Sequence, residues 1–187
     1  MTLARGTDEH VKTTFHYDSK QLLRTIKRDG LIKHRYTYDV FGRIRTETDA
    51  AGLRRVYKHD NLNRIEKITY PDGQFESFEY SAERPFLLAQ MTARSGYITH
   101  YDYDVEKNLT SIINAELGEL QLEYDDNGNL TKLIDPKNNV THFAYNKDNQ
   151  LIGKSYGSGQ GLTTQSYDHV GRLETRTNAR GTVATYG

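Results

Sequence analysis

The sequence predicts an all-β protein built of tandem β-hairpin repeats of about 21 residues, stacked side by side. Three observations lead there. A Tyr-Asp pair, or a near relative, recurs at Tyr17-Asp18, Tyr38-Asp39, His59-Asp60, Tyr80-Ser81, Tyr103-Asp104, Tyr124-Asp125, Tyr145-Asn146 and Tyr167-Asp168, with spacings of 21 to 23 residues. Large side chains keep fixed offsets from these anchors. Gly, Asn, Asp and Pro mark two turns in every period.

Each repeat reads as strand, turn, strand, turn. The first strand ends at the anchor, and two residues before it stand Phe15, Tyr36, Tyr57, Phe78, Tyr101, Leu122, Phe143 and Gln165. Tyr36 and Tyr38 are two apart, so both leave the same face of a strand. The turn after the anchor has Gly42, Asn63, Gly128, Asn149 or Gly171 at its fourth position, residues that tolerate positive φ. The second strand opens at an apolar residue six places after the anchor: Leu23, Ile44, Ile65, Phe86, Leu109, Leu130, Leu151 and Leu173. Its pattern departs from strict alternation, since Leu130 and Leu133 are three apart. A bulge there, or burial on both faces, reconciles this. The second turn is marked by Gly30, Gly52, Tyr70-Pro-Asp-Gly73, Gly96, Gly118, Asp135-Pro136-Lys137-Asn138-Asn139 and Gly181. Eight anchors with a strand on either side predict about 16 strands. Helix is the losing alternative, because Gly or Pro falls about every 10 residues and leaves no room for one.

Two repeats depart from the pattern. The fourth, Tyr80-Ser81 to Leu88, lacks the Asp and Gly and gains two residues; Pro85 belongs at a turn or bulge. Its apolar run from Phe86 to Met91 is read as a bulged strand burying both faces, or as a surface for something outside this chain. The seventh is loosened by Gly153, Gly157, Gly159 and Gly161, which predicts a long flexible turn.

Composition sits close to the limit for folding. Leu, Ile, Val and Phe number 40 of 187 residues and mean hydropathy is -0.81. Yet there are 14 Tyr, and 25 basic side chains balance 25 acidic ones. Aromatic and aliphatic ladders placed in register every 21 residues account for both facts. No run of about 18 apolar residues spans a membrane, and the N-terminal residues hold no secretory signal. Neutral charge argues against a dedicated nucleic-acid binder. The absence of cysteine removes disulfides, thiolate metal sites and thiol nucleophiles.

The unit Tyr-Asp-x-x-Gly-Arg-Leu, as in Tyr38-Asp39-Val-Phe-Gly42-Arg43-Ile44 and Tyr167-Asp168-His-Val-Gly171-Arg172-Leu173, resembles the RHS or YD repeat. The resemblance runs from about Phe15 to Tyr186. It implies one array over residues 1–187, in a continuous sheet that spirals into a hollow cocoon. In bacterial insecticidal toxin complexes and type VI effectors such cocoons enclose a toxic C-terminal domain; teneurins carry similar arrays. The resemblance thus implies a structural shell segment exported as part of a larger bacterial protein. Its partners are the rest of the shell and the enclosed toxin, with neither nucleic acid nor a membrane span. The residues matched to the motif, as structural anchors, are Tyr17, Asp18, Tyr38, Asp39, Gly42, Tyr103, Asp104, Tyr124, Asp125, Gly128, Tyr145, Tyr167, Asp168 and Gly171. By the period the next anchor falls at 188, one past Gly187, and Leu3 fits the apolar column of a repeat anchored before residue 1. Both ends are therefore expected to lie inside a repeat of a longer array.

No catalytic, cofactor or metal residue is predicted. The seven His (His10, His16, His34, His59, His100, His142 and His169) form no ligand motif. Asp125-Asp126-Asn127-Gly128-Asn129 lacks the Gly and Glu placement of a calcium loop and reads as a turn. Gly157-Ser158-Gly159-Gln160-Gly161 is neither a nucleophile elbow nor a phosphate loop. Asp39 with Arg43, and Asp168 with Arg172, read as surface ion pairs worth about 0–1 kcal/mol each. Cocoons of the family are closed by an aspartate self-cleavage segment near Asp-Pro-x-Gly-Leu; Asp135-Pro136 shares only the first two residues, so no cleavage is assigned to it. The alternative functions are a carbohydrate-binding or adhesive surface, which buried anchor tyrosines rule out, and an enzyme, which needs a non-repeating cluster of Asp, Arg and Tyr. Open sheet edges predict self-association of the isolated chain.

Overall fold

The structure, a computed structural model, describes residues 11–157 and 160–186. Leu3, His10, Ser158, Gly159 and Gly187, singled out above, lie outside the described residues. The chain divides into two compact bodies, Met1–Glu79 and Tyr80–Gly187. No helix occurs among the described residues.

The first body carries β1 (Thr13–Tyr17), β2 (Leu23–Arg28), β3 (Leu31–Tyr38), β4 (Ile44–Asp49), β5 (Arg54–His59), β6 (Ile65–Thr69) and β7 (Phe75–Tyr80). Each pairs antiparallel with the next in sequence. The second carries β8 (Leu88–Thr92), β9 (Ile98–Tyr103), β10 (Leu109–Asn114), β11 (Gly118–Tyr124), β12 (Leu130–Ile134), β13 (Val140–Tyr145), β14 (Leu151–Tyr156), β15 (Gln160–Tyr167), β16 (Leu173–Thr177) and β17 (Val183–Thr185), also paired in sequence. Seventeen strands are described where eight repeats account for sixteen. The seventeenth leads up to Tyr186, in the column before the next anchor.

Register explains the columns. Each anchor faces the apolar residue six places on: Tyr17 opposite Leu23, Tyr38 opposite Ile44, His59 opposite Ile65, Tyr103 opposite Leu109, Tyr124 opposite Leu130, Tyr145 opposite Leu151 and Tyr167 opposite Leu173. At each of these seven places the register slips by one, leaving Arg24, Arg45, Glu66, Thr110, Thr131, Ile152 and Glu174 unopposed. The bulge thus sets the spacing between Leu130 and Leu133: Thr131 is the extra residue, and Leu133 faces Leu122. Phe15 opposite Ile26, Tyr57 opposite Ile68 and Tyr101 opposite Ile112 add a second apolar rung to the anchor face.

Both turns of a repeat use one geometry. In the anchor turn Asp39 N–H donates to Arg43 O at 2.9 Å and Gly42 N–H to Asp39 O at 3.1 Å, with Gly42 at φ 81. In the second turn Asp49 N–H donates to Leu53 O and Gly52 N–H to Asp49 O in the same way. The fourth position is left-handed, as a hairpin with a type I turn and a bulge requires. Gln21 (φ 62) and Lys107 (φ 75) hold it in two repeats where the sequence shows no turn residue. Asp29-Gly30 is different: both residues have positive φ and join Arg28 to Leu31, the two-residue hairpin that Asp-Gly favours.

A side chain other than Gly in this conformation costs about 1–2 kcal/mol. Lys107→Gly, at an exposed position, is expected to raise stability by about 0.5–1 kcal/mol after the added entropy of the unfolded chain is subtracted. Urea unfolding checks this: the midpoint rises at unchanged slope. A lower midpoint contradicts it.

One expectation about the turns is corrected. Gly153 is no part of a flexible turn; it is buried within β14, opposite Ala144 and Thr164, and an added Cβ meets the Ala144 Cβ at 3.5 Å. Neither body has a hydrophobic core in the usual sense: no hydrophobic side chain among the described residues is buried, while Thr46 and Ser111 are, at 2% and 9% exposure. A one-layer sheet shields its side chains only by neighbours on the same face. In the fourth repeat Pro85 sits in the turn closed by Ser81 N–H to Leu87 O, and Phe86 stays 82% exposed. Every position of β8 is half-buried, on both faces.

Candidate functional site

What recurs most closely is the seam joining one repeat to the next. It begins at the bulge, where an unopposed residue disrupts the ladder and leaves backbone groups to be satisfied otherwise. The Tyr38 hydroxyl donates to Leu23 O at 2.6 Å, and the Tyr167 hydroxyl to Leu151 O at 2.9 Å. Each acceptor adjoins the bulge of the preceding repeat, so an anchor tyrosine closes its neighbour as well as its own hairpin. Partial burial pushes the hydroxyls of Tyr38, Tyr103, Tyr124 and Tyr145 above the usual tyrosine range. Tyr38→Phe is expected to cost about 1 kcal/mol by orphaning that carbonyl. Tyr124, whose hydroxyl makes no such bond among the described residues, is the control. Equal losses for Tyr38→Phe and Tyr124→Phe in urea unfolding contradict this role.

The anchor aspartate organises the turn. Asp39 Oδ1 accepts from Phe41 N–H at 2.9 Å and Arg43 N–H at 3.0 Å, while Oδ2 accepts from Arg43 Nε at 2.6 Å. Asp18 and Asp168 repeat this with Arg24 and Arg172, and Asp60 with Arg64. Asp104 and Asp125 use Asn108 and Asn129 instead. The carboxyls of Asp18 and Asp168 are lowered first by the backbone N–H four residues on. That of Asp125 is lowered first by the Asn129 side chain. At Asp39, Asp60 and Asp104 partial desolvation pushes upward, and the turn hydrogen bonds together outweigh it.

The residue after the left-handed position reaches the next turn. Within the first body Arg43 Nη1 donates to Asp60 O at 2.8 Å and to Asn63 Oδ1 at 3.0 Å, and Leu22 packs 3.8 Å from where a Gly42 Cβ would stand. Within the second, Arg84 donates to Asp104 O, Asn129 Nδ2 to Asn149 Oδ1 at 2.8 Å, and Gln150 Nε2 to Gly171 O at 3.2 Å. Arg172 is 78% exposed, against 20% for Arg43. The Asp39–Arg43 pair is therefore part of a turn-to-turn contact as well as an ion pair, while Asp168–Arg172 stays a surface ion pair.

One non-repeating cluster was missed from the sequence. Glu47 lies nine residues past its anchor, a column held elsewhere by Ile26, Ile68, Ile112, Leu133, Lys154 and Arg176. Its carboxylate accepts from the Tyr57 hydroxyl at 3.0 Å and lies 3.2 Å from His34 Nδ1 and 3.9 Å from Arg55 Nη1. His34 stacks on Tyr36 with centroids 6.1 Å apart. Partial burial, then the Glu47 charge, raises the Tyr36 hydroxyl; partial burial, then the hydrogen bond to Glu47, raises that of Tyr57. A carboxylate in a column otherwise apolar or basic is a weak sequence signal, and only the fold brings Tyr57, His34 and Arg55 to it. Chemically the cluster holds a carboxylate in place; no second carboxylate faces it for acid–base work.

The anchor tyrosines are half-buried, not buried as expected, and edge Tyr17 is 57% exposed. The cause is again the single layer. His59 takes an anchor tyrosine's place opposite Ile65. Asp135-Pro136 forms an ordinary turn with Asp135 N–H donating to Asn139 O. Among the described residues no group of three His, Asp or Glu is placed to hold a metal ion, and no helix is long and apolar enough to cross a membrane.

Comparison with known proteins agrees with this geometry. The RHS Repeat family matches residues 38–74, and the Teneurin YD-shell family matches residues 74–148. Double-stranded DNA deaminase toxin A of Burkholderia cenocepacia is 27% identical over 139 residues, which cover 74% of this chain and 10% of that protein. Among solved structures, TcdB2-TccC3 without its hypervariable C-terminal region is similar with a TM-score of 0.63 at 14% identity, covering 95% of this chain and 12% of that one. The Photorhabdus luminescens Tc holotoxin pore is similar with a TM-score of 0.65 at 13% identity, covering 88% of this chain and 12% of that one. The chain thus spans about a tenth of the length of these relatives, and the two structures speak for the fold. The two family matches adjoin at residue 74, so residues 38–148, with their 21-residue period and bulged anchor hairpins, are similar to RHS and YD-shell repeats.

Proposed function

We propose that the chain is a wall segment of an RHS/YD shell in an exported bacterial toxin, with a structural rather than catalytic role. Its partners are the flanking shell and the toxic domain inside. The observation that carries this reading is the seam. Repeats complete hydrogen bonds on their neighbours, through the Tyr38 and Tyr167 hydroxyls at the bulge and through Arg43, Arg84, Asn129 and Gln150 crossing from turn to turn. Repeats coupled in this way extend by addition, with stability resting on nearest-neighbour interfaces. Such an array makes a barrier, and a barrier shields an incompletely folded or harmful polypeptide. Half-covered anchor rings, with the Tyr38 and Tyr167 hydroxyls turned to backbone carbonyls, favour a wall over a sugar-stacking platform. Negative-stain imaging of the whole parent protein tests the proposal: a hollow particle is expected, and a solid or threadlike one overturns it.

The same reading predicts how the isolated chain behaves. β1 and β17 each have one described neighbour, and an edge strand offers unpaired N–H and C=O groups to another chain. Sedimentation velocity is expected to show concentration-dependent association. A monodisperse monomer at all concentrations contradicts it.

A further inference from the structure

The face of the first body turned away from the anchor tyrosines is basic, and nothing in the repeat lattice uses it. Register places His16, Thr25, Arg35, Thr48 and Arg54 in one row across β1 to β5. A neighbouring row runs Lys58, Lys67, Ser77 across β5 to β7. Lys27, opposite Thr14, shares the face. Arg35 and Arg54 are exposed and form no ion pair among the described residues. Lys58 and Lys67 stand directly opposite each other, where like charges destabilise a sheet. Lys58 is relieved by Glu66 at 2.6 Å, and Lys67 lies 3.6 Å from the centroid of the Phe75 ring. Between these cations stand Thr25, Thr37, Thr48 and Thr69, with short side chains; Thr46, on the same face, is buried and shares a hydrogen bond with Thr37.

The charge is local. Residues 11–79 carry 14 basic and 10 acidic side chains, residues 80–186 carry 10 and 13. The corresponding face of the second body presents Asp102, Glu119 and Glu123 against Lys132. A near-neutral chain has therefore gathered its basic surplus on one face of one body.

We infer that the Thr-Lys-Arg face of the first body is a docking surface for an acidic polypeptide segment. This rests on the wall reading for the class of partner and goes beyond it in naming the face and the charge. Nucleic acid fits less well. Single strands bind by stacking bases on aromatic rings, and here the Tyr and Phe rings of the strands lie on the opposite face apart from Phe75, with His16 at the edge. Duplex binding takes a larger basic surplus than the 14 basic against 10 acidic side chains of this body supply. An acidic peptide needs neither: its carboxylates pair with the Arg and Lys heads, and its backbone N–H groups find Thr hydroxyls as acceptors.

The test uses the whole chain with a short fluorescent poly-L-glutamate peptide, read by anisotropy at low salt. Binding is expected, weakening as salt rises. The double variant Arg35→Ser, Arg54→Ser is expected to bind about tenfold more weakly, with its thermal melt unchanged because neither side chain holds the lattice together. Absence of wild-type binding, or undiminished binding by the variant, overturns the inference. So does tighter binding of duplex DNA than of poly-L-glutamate at equal salt, which assigns the face to nucleic acid. If the variant changes only self-association, the face serves a second copy and the inference also falls. None of these results bears on whether the parent protein is hollow, so the two proposals fail separately.

Discussion

Gly118→Ala is expected to destabilise the second body by about 2–4 kcal/mol, the largest loss for any single turn residue. Gly118 closes a three-residue loop opposite Asn114 and has φ 89. An alanine there adopts a conformation that costs about 1–2 kcal/mol. Its Cβ also lands 2.9 Å from the Cβ of Pro136, in the second turn of the following repeat. That contact forces one turn to shift against the next, and overpacking of this kind costs about 1–3 kcal/mol. Gly30→Ala separates the two terms, because Gly30 has φ 78 and nothing within 4 Å of its added Cβ. It is expected to show the backbone cost alone. Urea unfolding of both variants checks this, and equal losses would mean that Pro136 gives way without cost.

Acid should unfold the array over a narrow range, and the turn aspartates are the reason. Asp18, Asp39, Asp60, Asp104, Asp125, Asp135 and Asp168 all sit below their ordinary range in the folded chain. A carboxyl lowered on folding contributes stability above its unfolded value, near 3.9 for Asp. That contribution fades as pH falls through the folded value. The melting temperature is therefore expected to hold between neutrality and about pH 5, then to fall steeply below about pH 4. Asn146 shows how to test the cause: its Oδ1 accepts from Asp148 and Gln150 N–H at 3.0 Å with no charge involved. Replacing Asp39, Asp60, Asp125 and Asp168 together by Asn should keep the turns and flatten the pH dependence. A variant that melts with the same acid profile as the wild type would place the titration elsewhere.

Much of this architecture was legible from the sequence because a repeat states its rules eight times. The anchor column, the apolar column six residues on and the turn glycines carry a period that no single strand would reveal. Where the sequence spoke once, it was harder to read. Gln21 and Lys107 occupy left-handed positions without the residue types that signal them, since the flanking hydrogen bonds of Asp18 and Asp104 hold the turn. Gly153 looked like punctuation and is a strand residue, small because Ala144 stands opposite. Glu47 was invisible until its column was aligned in space with Tyr57, His34 and Arg55.

By itself the sequence determined the all-β class, the period, the hairpin repeat and the places of its turns. These follow from local chemistry: alternating side chains, φ preferences and side-chain hydrogen bonds to nearby backbone. Only the tertiary structure decided which of two explanations held for Leu130 and Leu133, because a bulge is a relation between two strands. It alone showed that anchor tyrosines are half-buried, since burial depends on how many layers stack and here each sheet stands in one. It also showed that Arg43 crosses from its own turn to the next and that Arg35, Arg54, Lys58 and Lys67 share one face. Those facts depend on register between strands distant in sequence, which no local pattern encodes.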